Sequence, residues 1–500
     1  MADHLGTGAL LSQSRLFGRW EGTTGLDTGD LWVLATIVLL ASGCAVNGGE
    51  FSPLGIALVI AACPAAVASI ALWGARSGRP TGPLVWSAAV AVLALTNLSL
   101  DTASGHLAAA AGLAVVLAIA GVLLCSATTE RLRRASLALA TLCDLGLVAV
   151  RARWAAAYID VFSHIQGPTQ QLLLGHNPYA ASYPSTTPGV TTFHYPYLPG
   201  LLLLSAPFRL IGDVRLADAA AMVLIIWSVA VLARRYSGPE RAGAIAAVAV
   251  TMPFLPYMVV QAWPEIFPVA GVALWLLLRD QRVRWGVASL AIGLCVVPTV
   301  LPLLVFSWLW WGRARGEVTV ASLMAGLLCV PFALWAGVGH FIADTLLFQL
   351  RLPVRLDALS INGLLAHLGL PLMPGWAGIV FSFLVLVLMS RWRERSWDAA
   401  LMLGSILTLV VFLTAKWAFF NYYFIVACGL VFSLALVRRQ GSRLETETLA
   451  VQGRRATGAL HGGGHHHPRR WVASRGGGDA ERAPQQGDSR ARPGLTNGAL

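Results

Sequence analysis

The chain of 500 residues is short of charge: only 12% of its residues are Asp, Glu, Lys or Arg, about half the share of a soluble domain. It has a single lysine, Lys416, among 36 basic residues. No G-x-x-x-x-G-K-[ST], no G-x-G-x-x-G after a strand, no C-x-x-C and no H-E-x-x-H occurs, which removes support for ATP-driven transport and for binding of a soluble nucleotide sugar. The seven cysteines all lie inside apolar runs, so neither an exoplasmic disulfide framework nor a metal site is indicated by their spacing. The first ~30 residues lack the apolar core of a cleavable signal peptide. No internal repeat is visible.

What is present is hydrophobic sequence. Hydrophobic residues make up 56% of the chain and the mean hydropathy is +0.67, the composition of a polytopic membrane protein. The formal net charge of +12 sits at the ends of apolar runs and in the tail, and so reports topology and anionic headgroups rather than nucleic acid. Apolar runs near 31–49, 53–74, 83–99, 106–125 and 135–152 come first, with Arg76, Arg79, Arg131, Arg133 and Arg134 in alternate loops. Runs near 216–233, 241–259, 264–278, 317–338, 372–390, 398–414 and 417–437 follow. Residues 285–311, apolar but flanked by Arg on both sides and centred on V-V-P-T-V-L-P, read as two half-length helices that turn back within the membrane. The expected fold is therefore an all-α polytopic membrane protein of roughly 12–14 transmembrane helices, in the plasma membrane with both termini cytoplasmic. Its expected parts are a cytoplasmic segment 1–30, accessory helices in 31–134, a core in 135–437 with exoplasmic loops 153–199 and 339–371, and a disordered tail 438–500. Arg151, Arg153, Arg209 and Arg215 fall on the outer side, against the positive-inside rule.

The stretch from Asp160 to Pro199 breaks the apolar pattern with one acid, three histidines, four tyrosines and no Lys or Arg. A polar loop held by a membrane scaffold is where chemistry or binding is expected. Ile165 to Leu174 reads as a short surface helix stopped at Gly175 and Pro178, with Asn177-Pro178-Tyr179 as a turn. Asp160 is either a general base or a solvated carboxylate; Asp144, inside the fifth run, either pairs with a residue such as Arg151 or stays protonated. Gln261 and Glu265 form a polar island (V-Q-A-W-P-E-I-F-P) between two spans, able to bind a sugar hydroxyl or a metal, or simply marking a helix end. Arg351 and Arg355, four apart, either share a helix face and grip a lipid-linked phosphate or pair with Asp344 or Asp357. Lys416 either binds phosphate or snorkels. His461, His465, His466 and His467 can take up metal in vitro but have no supporting shell.

In combination and order, Asp160, then Gly175-His176-Asn177-Pro178-Tyr179, then His194-Tyr195-Pro196-Tyr197-Leu198-Pro199 resemble the GT-C superfamily of integral-membrane glycosyltransferases. The closest likeness is to the actinobacterial glycosyltransferase 87-like group, which are polyprenol-phosphate-mannose-dependent mannosyltransferases. The family's later G-Q followed by a polar or acidic residue is similar to Val260-Gln261 and Glu265, without the Gly. The resemblance spans about 135–437. It implies transfer of a sugar, mannose in that group, from a polyprenyl-phosphate donor to an envelope lipid or glycan on the exoplasmic face. Asp160 would be the catalytic base, with His164, Asn177, Tyr179, His194, Tyr195, Gln261, Glu265, Arg351, Arg355 and Lys416 binding substrate. No cofactor is required by it, although a divalent metal is compatible. The sequence departs from the pattern at Tyr197 (a second Pro in the family), at Val161 (often aromatic) and at Val297-Pro298-Thr299, where a basic residue is often found. The last departure moves phosphate recognition to Arg351, Arg355 or Lys416. The competing expectation is a lipid or sugar permease or flippase, which would line a midplane path with polar groups.

Overall fold

A computed structural model describes residues 28–73, 83–100, 107–154, 161–184, 192–347, 353–392 and 395–437. They belong to one compact unit. The apolar runs become helices in chain order: α1 (Thr28–Ala45), α2 (Pro53–Trp73), α3 (Pro83–Ser99), α4 (Leu107–Ser126), α5 (Glu130–Trp154), α6 (Val161–Leu173) and α7 (Pro199–Leu210). Next come α8 (Arg215–Tyr236), α9 (Pro239–Thr251), α10 (Phe254–Gln261), α11 (Ile266–Leu278), α12 (Val283–Leu294) and α13 (Leu301–Trp310). The last are α14 (Gly312–Ala336), α15 (Val338–Ile342), α16 (Ile361–His367), α17 (Gly375–Ser390), α18 (Trp397–Leu413) and α19 (Phe420–Leu436). The only strands among the described residues are two-residue segments, β1 (Tyr183–Pro184) and β2 (Thr192–Phe193), paired antiparallel inside the first loop.

The fold class expected from composition, an all-α polytopic membrane protein, is what the helices form. Six helices among the described residues are long and apolar enough to cross a membrane, and seven if the bent pair counts as one span. Eight further apolar helices are 10–17 residues long, or about 15–26 Å, so length alone does not give the expected 12–14 crossings. The span read at 241–259 is one of the six, as Arg241–Gln261, although its hydrogen bonding is interrupted at Met252-Pro253, where Pro has no N–H to donate. The break read at V-V-P-T-V-L-P is present: α12 and the segment Pro298–Trp310 are bent by 112°.

Contacts sort the helix ends into two sets. Glu130 meets Arg234, Asp30 meets Arg241 (2.7 Å) and Arg313 meets the Arg279 carbonyl at what is here termed the arginine end. Residues 50–51, 353–367 and 414–421 meet at the opposite, loop end. Three of the four Arg residues expected on the outer side, against the positive-inside rule, have local employment at the loop end. Arg151 is buried and donates to the Asn97 carbonyl (2.8 Å), Arg209 donates to the Gly212 carbonyl (3.2 Å), and Arg215 grips Asp213 with its guanidinium over Phe162. A guanidinium spent inside the protein says little about sidedness.

Helix α19 is the axis of the bundle: every residue in it except Tyr422 is buried. Helices that are apolar all round belong in such a position. Helices α1, α8 and α18 pack on it, while α17 buries none of its residues and faces outward. Close approach depends on small residues. A Cβ on Gly404 of α18 would lie 2.0 Å from the Leu303 carbonyl oxygen, and one on Gly429 of α19 would lie 2.5 Å from Leu303 Cδ1. The return arm α13 thus slots its Leu303 against two glycines, as backbones do where helices pack through van der Waals contact. At the arginine end the arm is clamped beside Trp311, which stacks on Trp397 at 4.3 Å under the Arg279 guanidinium. Gly404→Ala is expected to destabilise the detergent-solubilised protein by about 1–3 kcal/mol, as overpacking does, because backbone rather than a flexible side chain must move. An unchanged thermal midpoint would show that α13 is not held there.

Candidate functional site

The first loop is built by its own sequence signals. Helix α6 ends in a Schellman motif: Gly175 adopts φ +75°, its N–H donates to the Leu172 carbonyl (3.0 Å), and the His176 N–H donates to the Gln171 carbonyl (2.9 Å). Asn177 then makes the expected Asx turn, its Oδ1 accepting from the Tyr179 N–H at 3.0 Å, while its Nδ2 donates to the Trp335 carbonyl at the end of α14 (2.9 Å). Tyr179 is 2% exposed, packs against Tyr195 and Phe341, and donates its hydroxyl to the Tyr197 carbonyl (3.0 Å). Tyr183 donates to the Pro178 carbonyl (2.9 Å) and joins Phe193 across the β1–β2 pair. His164 on α6 is buried with its ring 3.2 Å from that of Phe193. His194 is exposed and Tyr195 is fully buried.

Asn177 and Tyr179 are two of the loop residues expected to bind substrate. Their polar groups are spent on the loop's own backbone and on α14, so they position the loop. Tyr195 contributes a buried ring whose hydroxyl has no hydrogen-bond partner among the described residues.

Opposite this loop, the segments 353–367 and 414–421 form a clasp. The Arg355 N–H donates to the Lys416 carbonyl (3.3 Å), the Leu359 N–H to the Ala418 carbonyl (2.8 Å), and Trp417 Nε1 to the Pro353 carbonyl (2.6 Å). The α1–α2 connection joins in: the Phe51 N–H donates to the Asp357 carbonyl (2.7 Å), and Phe51 stacks on His367 at 3.8 Å. Ser360 caps α16 by accepting from the Gly363 N–H (3.2 Å). The Arg355 guanidinium is bidentate to Asp357 and lies 5.3 Å from the Trp417 ring and 5.2 Å from the Phe419 ring. Of the two alternatives for Arg355, pairing with Asp357 is the one realised. Partial burial raises the Asp357 carboxyl, but the Arg355 hydrogen bonds and charge outweigh that and hold it below the ordinary Asp range. A helix face shared with Arg351 does not arise, since 353–355 are not helical and Arg351 lies outside the described residues. Asp160, the residue expected to be the base, also lies outside them.

The clasp continues into buried polar groups. Phe420 stacks on Trp263 (5.7 Å) and meets Tyr257 (4.7 Å), and Asn421 hydrogen-bonds Glu265. Glu265 begins α11, Asp218 lies in the first turn of α8, and both are buried; α8, α11 and α19 all start at this end. Gln261 closes α10, followed by Ala262 at φ +55°, ψ +40°, the only non-glycine with positive φ among the described residues. The turn is a second Schellman motif, with the Trp263 N–H on the Met258 carbonyl (3.0 Å), where Ala bears a steric cost of roughly 1–2 kcal/mol that Gly would not. Gln261 Oε1, Glu265 Oε2, Asn421 Oδ1 and Asp218 Oδ1 are buried acceptors without a hydrogen-bond partner among the described residues. Desolvation pushes the Glu265 carboxyl up to about 7, against the pull of the Asn421 hydrogen bond.

The structure thus brings Arg355 and Lys416 together, and links them through 416–421 to Glu265. His164 and Tyr195 pack inside the first loop, and His194 is exposed on it. Asp218 and Asn421 went unread in the sequence. The one signal for Asp218 was an acid inside an apolar run, and Asn421 lay hidden in an aromatic cluster. Asp144 is buried in α5 with neither carboxylate oxygen hydrogen-bonded; Arg151, about two turns on, hydrogen-bonds Asn97 while its charge still acts on Asp144. Among the described residues no group of three or more His, Cys, Asp or Glu side chains is arranged to hold a metal ion. The His461–His467 tract lies outside them. In comparisons with known proteins, no family model, no curated protein and no solved structure matches the chain.

A carboxyl raised in the folded protein favours its protonated form, so folding loses stability as pH rises from the ordinary Glu value of about 4.3 to about 7 and no further beyond it. The thermal midpoint of the wild type is expected to fall across that window more than that of Glu265→Gln. Parallel pH profiles for the two proteins would contradict the burial of an ionisable Glu265.

Proposed function

We propose that this chain is a membrane glycosyltransferase that takes a sugar, mannose by resemblance, from a polyprenyl-phosphate donor and passes it to an envelope lipid or glycan hydroxyl on the exoplasmic face. The observation that carries this reading is the clasp at the loop end, where Arg355 and Lys416 lie on neighbouring strands of chain that lead to Glu265. A guanidinium and an ammonium together suit a phosphate monoester or diester, the first by bidentate hydrogen bonding and the second as a compact charge. Arg355 would exchange its Asp357 carboxylate for phosphate oxygens on binding. The aromatic residues Trp417 and Phe419 beside it suit the membrane interface where a lipid phosphate lies.

In the proposed step the acceptor hydroxyl oxygen attacks the anomeric carbon as the bond from that carbon to the phosphate oxygen breaks. The phosphate leaves with the bonding electrons and is held by Arg355 and Lys416, while the hydroxyl proton passes to the Asp160 carboxylate. The products are the inverted glycoside and polyprenyl phosphate. His194, exposed on the loop, is available to the acceptor, whereas Asn177 and Tyr179 fix the loop against α14.

A second reading, a lipid or sugar permease, draws on Asp144 and Asp218, both buried within helices. Carboxylates in such positions often mark a proton or solute path. The two readings part in one assay: membranes containing the protein, supplied with radiolabelled polyprenyl-phosphate-mannose and a lipid extract of the host. The enzyme reading predicts label in a new product, lost by a factor of about 10² or more in Asp160→Asn, and a raised donor KM with little change in kcat for Lys416→Ala. Transfer that survives Asp160→Asn removes Asp160 from the mechanism. Absence of transfer by intact wild type, with lipid movement across the bilayer instead, establishes the permease.

A further inference from the structure

Two cysteines far apart in the apolar sequence meet beneath the first loop. Cys295 closes α12 at the break of the bent pair, Cys329 lies in the outer part of α14, and their sulfurs are 3.9 Å apart. Both are free thiols, the first buried and the second partly exposed. Cys329 is seven residues from the end of α14 at Ala336, about 10 Å of helix from the loop end.

The position joins three parts. The Cys295 carbonyl accepts from the Gly200 N–H (2.9 Å) and the Val296 carbonyl from the Leu198 N–H (3.3 Å), so the break is sewn to the end of the loop. The approach is close enough that a Cβ on Gly200 would lie 2.7 Å from the Cys295 carbonyl carbon and oxygen. On the other side, α14 carries Phe332 against Tyr179 and gives the Trp335 carbonyl to Asn177. The two thiols are the covalent-capable point where loop, break and α14 converge. Cys295 makes the last regular bond of α12, its N–H to the Ala291 carbonyl (2.9 Å), just before the turn into the 3-10 segment Pro298–Val300.

We propose that Cys295 and Cys329 are a modification site: a dithiol that forms a reversible disulfide and fastens the break of the bent pair to α14 under the loop. A disulfide needs the sulfurs at about 2 Å, so they close by about 2 Å. The oxidant is a small membrane-permeant disulfide reaching the partly exposed Cys329. The Cys329 thiol loses its proton and attacks one sulfur of the oxidant, releasing one small thiol and leaving a mixed disulfide. The Cys295 thiol then loses its proton and attacks the Cys329 sulfur, releasing the second small thiol and leaving the intramolecular bond. Two protein thiols are oxidised by two electrons and one small disulfide is reduced to two thiols. This proposal is independent of the glycosyltransferase reading.

The test treats the purified full-length protein with 4,4′-dithiodipyridine, followed by proteolysis and mass spectrometry without reduction. The expected result is a Cys295–Cys329 cross-linked peptide lighter by two hydrogens than the two reduced peptides, no lasting pyridyl adduct on Cys329, and reversal by dithiothreitol. Cys295→Ala is expected to trap the adduct on Cys329. The cross-link should also raise the thermal midpoint and slow hydrogen exchange at residues 192–200. A Cys329 that keeps its adduct in the wild type, that does not react, or that pairs with a different cysteine overturns the proposal. Should Cys295→Ala fail to fold, Cys329→Ala supplies the control, with no cross-link and an adduct-free Cys295.

Discussion

The bilayer core offers no water to a polar group, so a chain of this composition must satisfy inside itself every hydrogen bond it does not leave at the membrane surface. That constraint orders the molecule. Where the sequence stays apolar, the helices satisfy themselves and pack around α19 through glycine contacts such as Gly404 and Gly429 on Leu303. Where the chain breaks, the freed groups are answered by neighbours: Cys295 and Val296 by Gly200 and Leu198, the end of α14 by Asn177, and the 353–362 segment by 416–418. The breaks that remain unanswered are informative for the same reason. Four buried acceptor oxygens, on Asp218, Gln261, Glu265 and Asn421, lie where helices start or end at the loop end.

Those features give the proposed transferase its division of labour. Asn177 ties the first loop to the end of α14, Tyr179 bonds back to the Tyr197 carbonyl, and His194 is exposed on it. The clasp holds the two cations and is itself held from another part of the chain by Phe51, which stacks on His367 and bonds the Asp357 carbonyl. The helices before residue 134, expected to be accessory to the core, thus contribute structure to the segment that carries Arg355. Charge on Arg355 is balanced by Asp357 within the clasp, which lets a strongly basic group sit at an interface until an anion replaces its partner.

Much of the fold was legible because its signals are local. Run length located the helices, Pro and Gly placed the breaks and the Schellman turn at Gly175, and Asn177 announced its own turn. Paired Pro residues flanked by Arg revealed the bent pair. What the sequence concealed depends on partners distant in the chain. Arg355 chose Asp357 because the clasp shaped 353–358 as a turn rather than a helix. Arg151 hydrogen-bonds Asn97, 54 residues away, a partner that nothing local in the sequence announces. Crossing number was legible only coarsely, since helices of 10–17 residues inside a bundle are not distinguished by apolarity from full spans. In the candidate site, Gln261 and Glu265 stood out as polar residues among apolar ones, whereas Asp218 and Asn421 gained significance only from the neighbours the fold supplied.

The central claim is that a lipid-linked phosphate binds at the clasp. A polyprenyl phosphate bearing a photoreactive group next to the phosphate, irradiated with the protein in membranes and mapped by mass spectrometry, tests it directly. The account predicts cross-links in 353–362 and 414–421, displaced by unlabelled polyprenyl-phosphate-mannose. Cross-links confined to the apolar groove between α13 and α14, lined by Leu304, Trp308, Thr319 and Leu323, or insensitive to competitor, would contradict it.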